Sequence, residues 1–158
     1  MCLMVWIGTE QPVPPVLRAD EPDLVTDFYE VDEVAADAPV RARFTSPHVT
    51  YVGSHQGCGC GFNSAELEWK GFTDVADAMA LIDAMTDNER EEFLAEKRSR
   101  ERLGALVSAA LLHGKVEIYV RWAGDEGDPP DRVETIETRW LTERLAPLEE
   151  GVKYMVLG

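Results

Sequence analysis

The sequence has no uninterrupted apolar run of the roughly 18 residues that a membrane-spanning helix requires. Its first residues lack the basic segment and the long apolar stretch of a secretory signal peptide. Positive charge is scarce, because 15 Lys and Arg stand against 30 Asp and Glu and give a formal net charge of −15. Such a field repels nucleic-acid phosphates and anionic membrane surfaces. We therefore expect a cytoplasmic protein without a nucleic-acid or membrane partner.

Cysteine is also scarce, with three residues in 158. A reducing cytoplasm keeps cysteines as thiols, so these three are not expected to form a disulfide framework. Two of them, Cys58 and Cys60, lie within the stretch GSHQGCGCGF at 53–62, and the third is Cys2. This concentration indicates metal binding or thiol chemistry.

The hydrophobic residues, 45% of 158, suffice for one domain with its own core, spanning residues 1–158. Periodic apolar positions predict two helices, at about 73–85 and 87–113. Short apolar or alternating segments predict strands at several places. The clearest of these segments are 3–7, 48–54 and 115–122. Because strands flank a helical pair, the sequence predicts an α+β domain with a mainly antiparallel sheet packed against those helices.

Three finer expectations concern individual elements. The alternation in VRARFT, residues 40–45, predicts a half-buried strand, and the segment 132–141 is expected to return as a strand after an acidic hairpin loop. The helix at 87–113 is charged in its first half. We therefore expect it to bury only its second half and to leave 87–102 as a possible docking surface for a protein partner.

The loop at 53–62 offers an imidazole and two thiolates, from His55, Cys58 and Cys60, within six residues. The glycines around both thiols permit the bend that lets two cysteines at i and i+2 face one point. This soft ligand set predicts a thiophilic metal site, with zinc as the default and Cu(I) or an iron–sulfur cluster as alternatives. If the strands before Cys58 and after Cys2 pair antiparallel, Cys2 lies beside the loop and could complete the site.

Other interpretations remain open for the same thiols. Cys58 and Cys60 could cycle between a dithiol and a strained disulfide, or the cysteines could be structural residues of an interaction module. Cys2 could also act as a nucleophile if Met1 is removed. The start Met1-Cys2 resembles glutamine amidotransferases of the N-terminal-nucleophile type, although Leu3 stands where that family has glycine.

Overall fold

The computed structural model describes residues 2–16, 30–63 and 71–158. These residues form one six-stranded mixed sheet with the strand order β2-β3-β1-β4-β6-β5. The strands are β1 Leu3–Thr9, β2 Glu30–Glu33, β3 His48–Gly53, β4 Val116–Trp122, β5 Arg132–Glu137 and β6 Val152–Leu157. Every pairing is antiparallel except that of β5 with β6. The predicted α+β class with a mainly antiparallel sheet is confirmed.

The sheet is covered on both faces, which explains the unbroken apolar run in β1. β1 lies between β3 and β4, and Trp6 pairs with Tyr51 on one side and with Tyr119 on the other. On one face of the sheet, Trp6, Val40 and Tyr119 belong to a small core cluster. The opposite face carries the main core, which strands and the long helix build together. It includes Leu3, Val5, Ile7, Phe62, Leu103, Val107, Ile118 and Val152.

Within the described residues, three α-helices accompany the sheet: α1 Val75–Ala80, α2 Asp87–Leu111 and α3 Thr138–Glu143. The helix predicted at 73–85 is divided, because α1 ends at Ala80 and a 3₁₀ turn follows at Ile82–Ala84. A capping box formed by Thr86 and Glu89 begins α2, which satisfies its first free backbone N–H groups. Within the described ranges, no helix is both long and apolar enough to cross a membrane.

The expectation that α2 buries only its second half is wrong. Leu103 and Val107 are buried as predicted, but Phe93, Ser99 and Arg100 are buried as well. Phe93 belongs to a second core cluster, separate from the main one. The polar side chains of Ser99 and Arg100 can be buried because each has a hydrogen-bond partner on a neighbouring segment. A docking role for 87–102 is thus confined to outward residues such as Glu91 and Glu101, which are exposed.

Two predicted strands also need correction. Residues Pro39–Arg43 form a 3₁₀ helix, not a strand, and the Arg41 side chain holds this turn by donating to the carbonyl oxygens of Val34 and Ala35. The segment predicted as a strand at 132–141 forms β5 only as far as Glu137, because α3 begins at Thr138. β5 pairs in parallel with β6. β5 cannot return beside β4, because β1 and β6 already occupy both edges of that strand.

Candidate functional site

The cysteine loop connects β3 to a 3₁₀ helix at Gly59–Phe62 and lies against the first residues of β1. The paired residues of β1 and β3 run from Trp6 to Thr9 on the β1 side, so the beginning of β1 needs another partner. The Leu3 backbone N–H donates to the Cys60 Sγ at 3.3 Å. The thiol therefore takes the place of a carbonyl acceptor beside this part of the strand.

The turn before the 3₁₀ helix is held by its own hydrogen bonds. The Ser54 backbone N–H and hydroxyl both donate to the Cys58 carbonyl oxygen, at 2.9 and 2.6 Å. Gly59 then approaches β1 closely, since a Cβ at this position would lie 2.6 Å from the Val5 Cγ2 atom and 2.9 Å from the Leu3 carbonyl oxygen. A side chain at residue 59 would push the thiols away from the strand.

The far end of the loop is fixed by residues distant in sequence. The Phe62 carbonyl oxygen accepts a hydrogen bond of 2.9 Å from the Arg100 guanidinium. The Asn63 side chain exchanges two hydrogen bonds with the Leu148 backbone, at 2.9 and 3.3 Å. Both thiols therefore sit on backbone that is anchored at each end.

Cys58 and Cys60 are half-buried, and all three cysteines of the chain are free thiols. Burial, together with the hydrogen bond and charge of the Cys60 side chain, raises the pKa of the Cys58 thiol to about 11 against the opposing effect of the Cys60 backbone N–H. The two side chains are thus in direct interaction. At neutral pH Cys58 is a protonated thiol.

Cys2 lies beside this pair, as antiparallel pairing of β1 and β3 predicted. The 3.3 Å hydrogen bond from the Leu3 N–H to the Cys60 Sγ limits the distance between that sulfur and the Cys2 Cα to about 6 Å, because only two bonds separate the Cα from the donor nitrogen. The Cys2 residue is exposed. Burial raises the pKa of the nearby Tyr51 phenol, and the charges of Cys58, Cys2 and Cys60 add to that effect.

His55 is engaged with helix α2. Its backbone N–H and its ring Nδ1 both contact the Ser99 Oγ, at 3.1 and 3.0 Å. Its Nε2 lies 3.8 Å from a carboxylate oxygen of Glu92. The sequence placed His55 in the ligand set, whereas the structure shows contacts that fix the turn to the helix.

The metal prediction can be compared with the donor groups that the fold assembles. Among the described residues, no group of three or more His, Cys, Asp and Glu side chains is placed to hold a metal ion. The structure brings Cys58 and Cys60 together, places Cys2 next to them and directs His55 to α2. The metal interpretation consequently depends on the thiols alone.

A cleft of about 550 Å³ opens beside Cys60, among residues with polar side chains. It is lined by Gln56, Cys60, Asn63, Asn88, Glu89, Glu92 and Glu96. Apart from Cys60, none of these residues was predicted from the sequence to belong to the site, and neither were Tyr51 and Arg100. Tyr51 could have been predicted as a neighbour of the thiols, because it lies on β3, the strand that leads into the loop. Nothing in the sequence indicates that Arg100 contacts Phe62.

Comparison with models of protein families, with curated proteins and with solved structures finds no match for this chain. The resemblance to N-terminal-nucleophile amidotransferases therefore remains limited to the residues that suggested it. Any function has to be argued from the thiol site itself.

Proposed function

We propose that Cys58 and Cys60 form a reversible dithiol–disulfide couple. The observation that carries this proposal is the closeness of the two thiols on one short loop, since the Cys60 side chain lies near enough to Cys58 to affect its pKa. A disulfide requires two sulfurs that can approach each other without moving the backbone far. Among the described residues no group of three or more donor side chains is placed to hold a metal ion, which favours a reaction between two sulfurs over a multidentate metal site.

The reaction exchanges one disulfide for another. Two thiols of the protein and one disulfide of another molecule become the Cys58–Cys60 disulfide and two thiols of that molecule, so the protein is oxidised and the other molecule is reduced. The ring that closes contains only Gly59 between its cysteines, and short rings of this kind give strained, oxidising disulfides. We propose the cytoplasm as the location, where thiol buffers would return the couple to the dithiol.

The experiment is a redox titration of the purified protein in glutathione buffers from about −300 to about −120 mV. Free thiols are counted by mass after alkylation. We expect a two-electron transition in which the peptide carrying Cys58 and Cys60 loses two alkylation sites. The Cys58→Ser variant should lose this transition, and Cys2→Ser should keep its midpoint. A wild-type protein that retains both thiols throughout the range contradicts the proposal.

A thiophilic metal site is the second candidate, and the proximity of Cys2 to Cys60 favours it because it supplies a third thiol. Zinc in structural sites takes four ligands, and iron–sulfur clusters are usually held by four cysteines, whereas this chain has three. Soft Cu(I) suits a small set of thiolates better than the zinc that the sequence favoured.

Titration of the reduced protein with Cu(I) and with Zn²⁺, in competition with chelators, tests this candidate. The Cys58 thiol has to lose a proton whose pKa is about 11, so the affinity for either metal should fall as the pH is lowered. Retention of Cu(I) that disappears in Cys58→Ser would support the metal site. Equal retention by wild type and variant would exclude the loop as its location.

A further inference from the structure

We infer that Cys2 is the entry thiol of the couple: it attacks the incoming disulfide and passes the oxidation on to Cys60 and then to Cys58. This inference rests on the proposed function. It assigns a catalytic role to a cysteine that the redox interpretation left outside the reacting pair.

Accessibility separates the three thiols. Cys2 is exposed, whereas Cys58 and Cys60 are half-buried. The cleft that reaches Cys60 has a volume of about 550 Å³ and is lined by three glutamates. A cleft of that size cannot admit a folded protein, and its carboxylates repel an anionic disulfide. A large or anionic disulfide therefore meets Cys2 first.

The geometry allows Cys2 and Cys60 to join. The Cys60 sulfur lies within about 6 Å of the Cys2 Cα, by the bond lengths that connect that Cα to the Leu3 nitrogen. Disulfide-bonded cysteines have Cα atoms about 4.4–6.8 Å apart, so a rotation of the exposed Cys2 side chain together with a small shift of the loop suffices. The Leu3 N–H that donates to Cys60 Sγ holds this sulfur next to the Cys2 backbone.

The transfer consists of three exchanges. The Cys2 thiolate attacks the disulfide R–S–S–R, forms a mixed disulfide and releases one R–S⁻, which takes a proton from water. The Cys60 thiolate attacks the Cys2 sulfur, forms a Cys2–Cys60 disulfide and releases the second R–S⁻. The Cys58 thiol loses its proton to solvent and attacks the Cys60 sulfur, which forms Cys58–Cys60 and restores the Cys2 thiolate. Two electrons pass from the protein to the external disulfide.

The rate of the last step depends on the surroundings of the two loop thiols. Cys58 is a thiol in a site that penalises its charge, so it reacts slowly with molecules in solution. Its target inside the protein is the neighbouring Cys60 sulfur, which at this stage is bonded to Cys2. Proximity then compensates for the small thiolate fraction, since the attack is intramolecular.

The test follows the rate at which oxidised glutathione, an anionic disulfide, converts the reduced protein to the Cys58–Cys60 disulfide. We expect Cys2→Ser to slow this conversion by at least about tenfold while the equilibrium midpoint stays unchanged. Thermal unfolding of the variant checks that the fold is intact. An unchanged rate in Cys2→Ser overturns the entry role and leaves the proposed couple in place.

Two further variants trap the intermediates. In Cys60→Ser, glutathione should accumulate on Cys2, and in Cys58→Ser, a Cys2–Cys60 disulfide should persist. Peptide mass mapping identifies each product. Glutathione found on Cys58 in the Cys60→Ser variant would overturn the order of transfer. Wild-type protein that is glutathionylated at Cys2 and goes no further would overturn both the transfer and the couple.

Discussion

The two loop thiols differ in a way that no spacing rule predicts. Burial and the neighbouring Cys60 side chain keep Cys58 protonated, with a pKa of about 11, while Cys60 accepts a hydrogen bond from the Leu3 backbone N–H. The Cys60 backbone N–H opposes the rise in the Cys58 pKa but does not outweigh burial. The two thiols of the Cys-Gly-Cys stretch therefore lie in different surroundings, since Cys58 keeps its proton and Cys60 is hydrogen-bonded to the backbone of β1.

The rate at which Cys58 reacts with iodoacetamide should rise about tenfold for each pH unit between about pH 7 and pH 10, because only the thiolate reacts and its fraction grows in that proportion below the pKa. Peptide mass spectrometry measures the rate at this residue alone. The unfolded protein in denaturant is the control, where the rate should level off near the ordinary pKa of about 8.5. A plateau below pH 10 in the folded protein contradicts the pKa of about 11.

At the scale of single residues, the sequence predicted the thiols but not their neighbours. The glycine spacing predicted that Cys58 and Cys60 lie close together. Cys2 lies beside them because β1 and β3 pair antiparallel, which the sequence left as a condition. The direction of His55 is set by Ser99, which is 44 residues away. Contacts of that range depend on how α2 lies over the loop, and one sequence carries no signal for such a placement.

At the scale of elements, the periodic segments were predictable and their partners were not. The alternation at 132–137 identified a strand, but the order β4-β6-β5 depends on β6 taking the edge of β4. For the segment Pro39–Arg43, the type of element itself was predicted wrongly. Its alternation suggests a strand, yet Pro39 begins a 3₁₀ turn and the Arg41 hydrogen bonds to nearby carbonyls stabilise that turn over an extended ladder.

One guanidinium joins three elements around the site. Arg100 of α2 donates to the carbonyl oxygens of Leu141 at 2.9 Å, Phe62 at 2.9 Å and Ala146 at 3.0 Å. Burial lowers the pKa of Arg100 to about 10, so the side chain remains charged at neutral pH.

Arg100→Ala should destabilise the fold by about 3–5 kcal/mol, because it leaves buried carbonyl oxygens without a donor and opens a cavity. Urea unfolding measures this free energy. Arg139→Ala is the matched control, since Arg139 is largely exposed and pairs with a surface glutamate, Glu137; it should change stability by less than about 0.5 kcal/mol. Equal effects of the two variants would contradict the anchoring role of Arg100.

A second buried network holds the 3₁₀ segment against the other face of the sheet. Glu117 of β4 accepts hydrogen bonds from the Thr45 and Ser46 backbone N–H groups, at 2.9 and 3.0 Å, and from Lys153 at 2.8 Å. Burial alone would raise the pKa of Glu117, but the hydrogen bonds from Lys153, Ser46 and Thr45 outweigh it and lower that pKa to about 2.

The sign of the pH effect follows from this lowered pKa. The ordinary value is 4.5, so the stabilising contribution of Glu117 is complete above that pH and is lost as the pH falls toward about 2. Glu117→Gln should therefore cost stability at pH 6, and the cost should shrink by about 2 kcal/mol between pH 6 and pH 2. Denaturant unfolding at a series of pH values measures the difference. The same substitution at the exposed Glu137 should show no such trend, and a cost for Glu117→Gln that is independent of pH would refute the assignment.

At the scale of the whole molecule, the charge balance acts against the compact state. With 30 acidic and 15 basic side chains, at most half of the carboxylates can be paired one to one with a cation. Arg121 illustrates the shortage, since it lies 2.8 Å from Asp131 and 3.0 Å from Glu150. The remaining carboxylates repel each other across the surface, and unfolding relieves that repulsion.

Salt should consequently stabilise this protein. Raising sodium chloride from about 0.02 to about 0.2 M shortens the screening length to below about 10 Å, which weakens the long-range repulsion more than the close ion pairs. We expect the unfolding temperature at pH 7 to rise by a few degrees, equivalent to about 1 kcal/mol. At about pH 4, where many of the carboxylates are protonated, the same increase in salt should have little effect. Differential scanning calorimetry measures both, and an unfolding temperature that falls with salt at pH 7 would show that attraction in the surface ion pairs exceeds the repulsion.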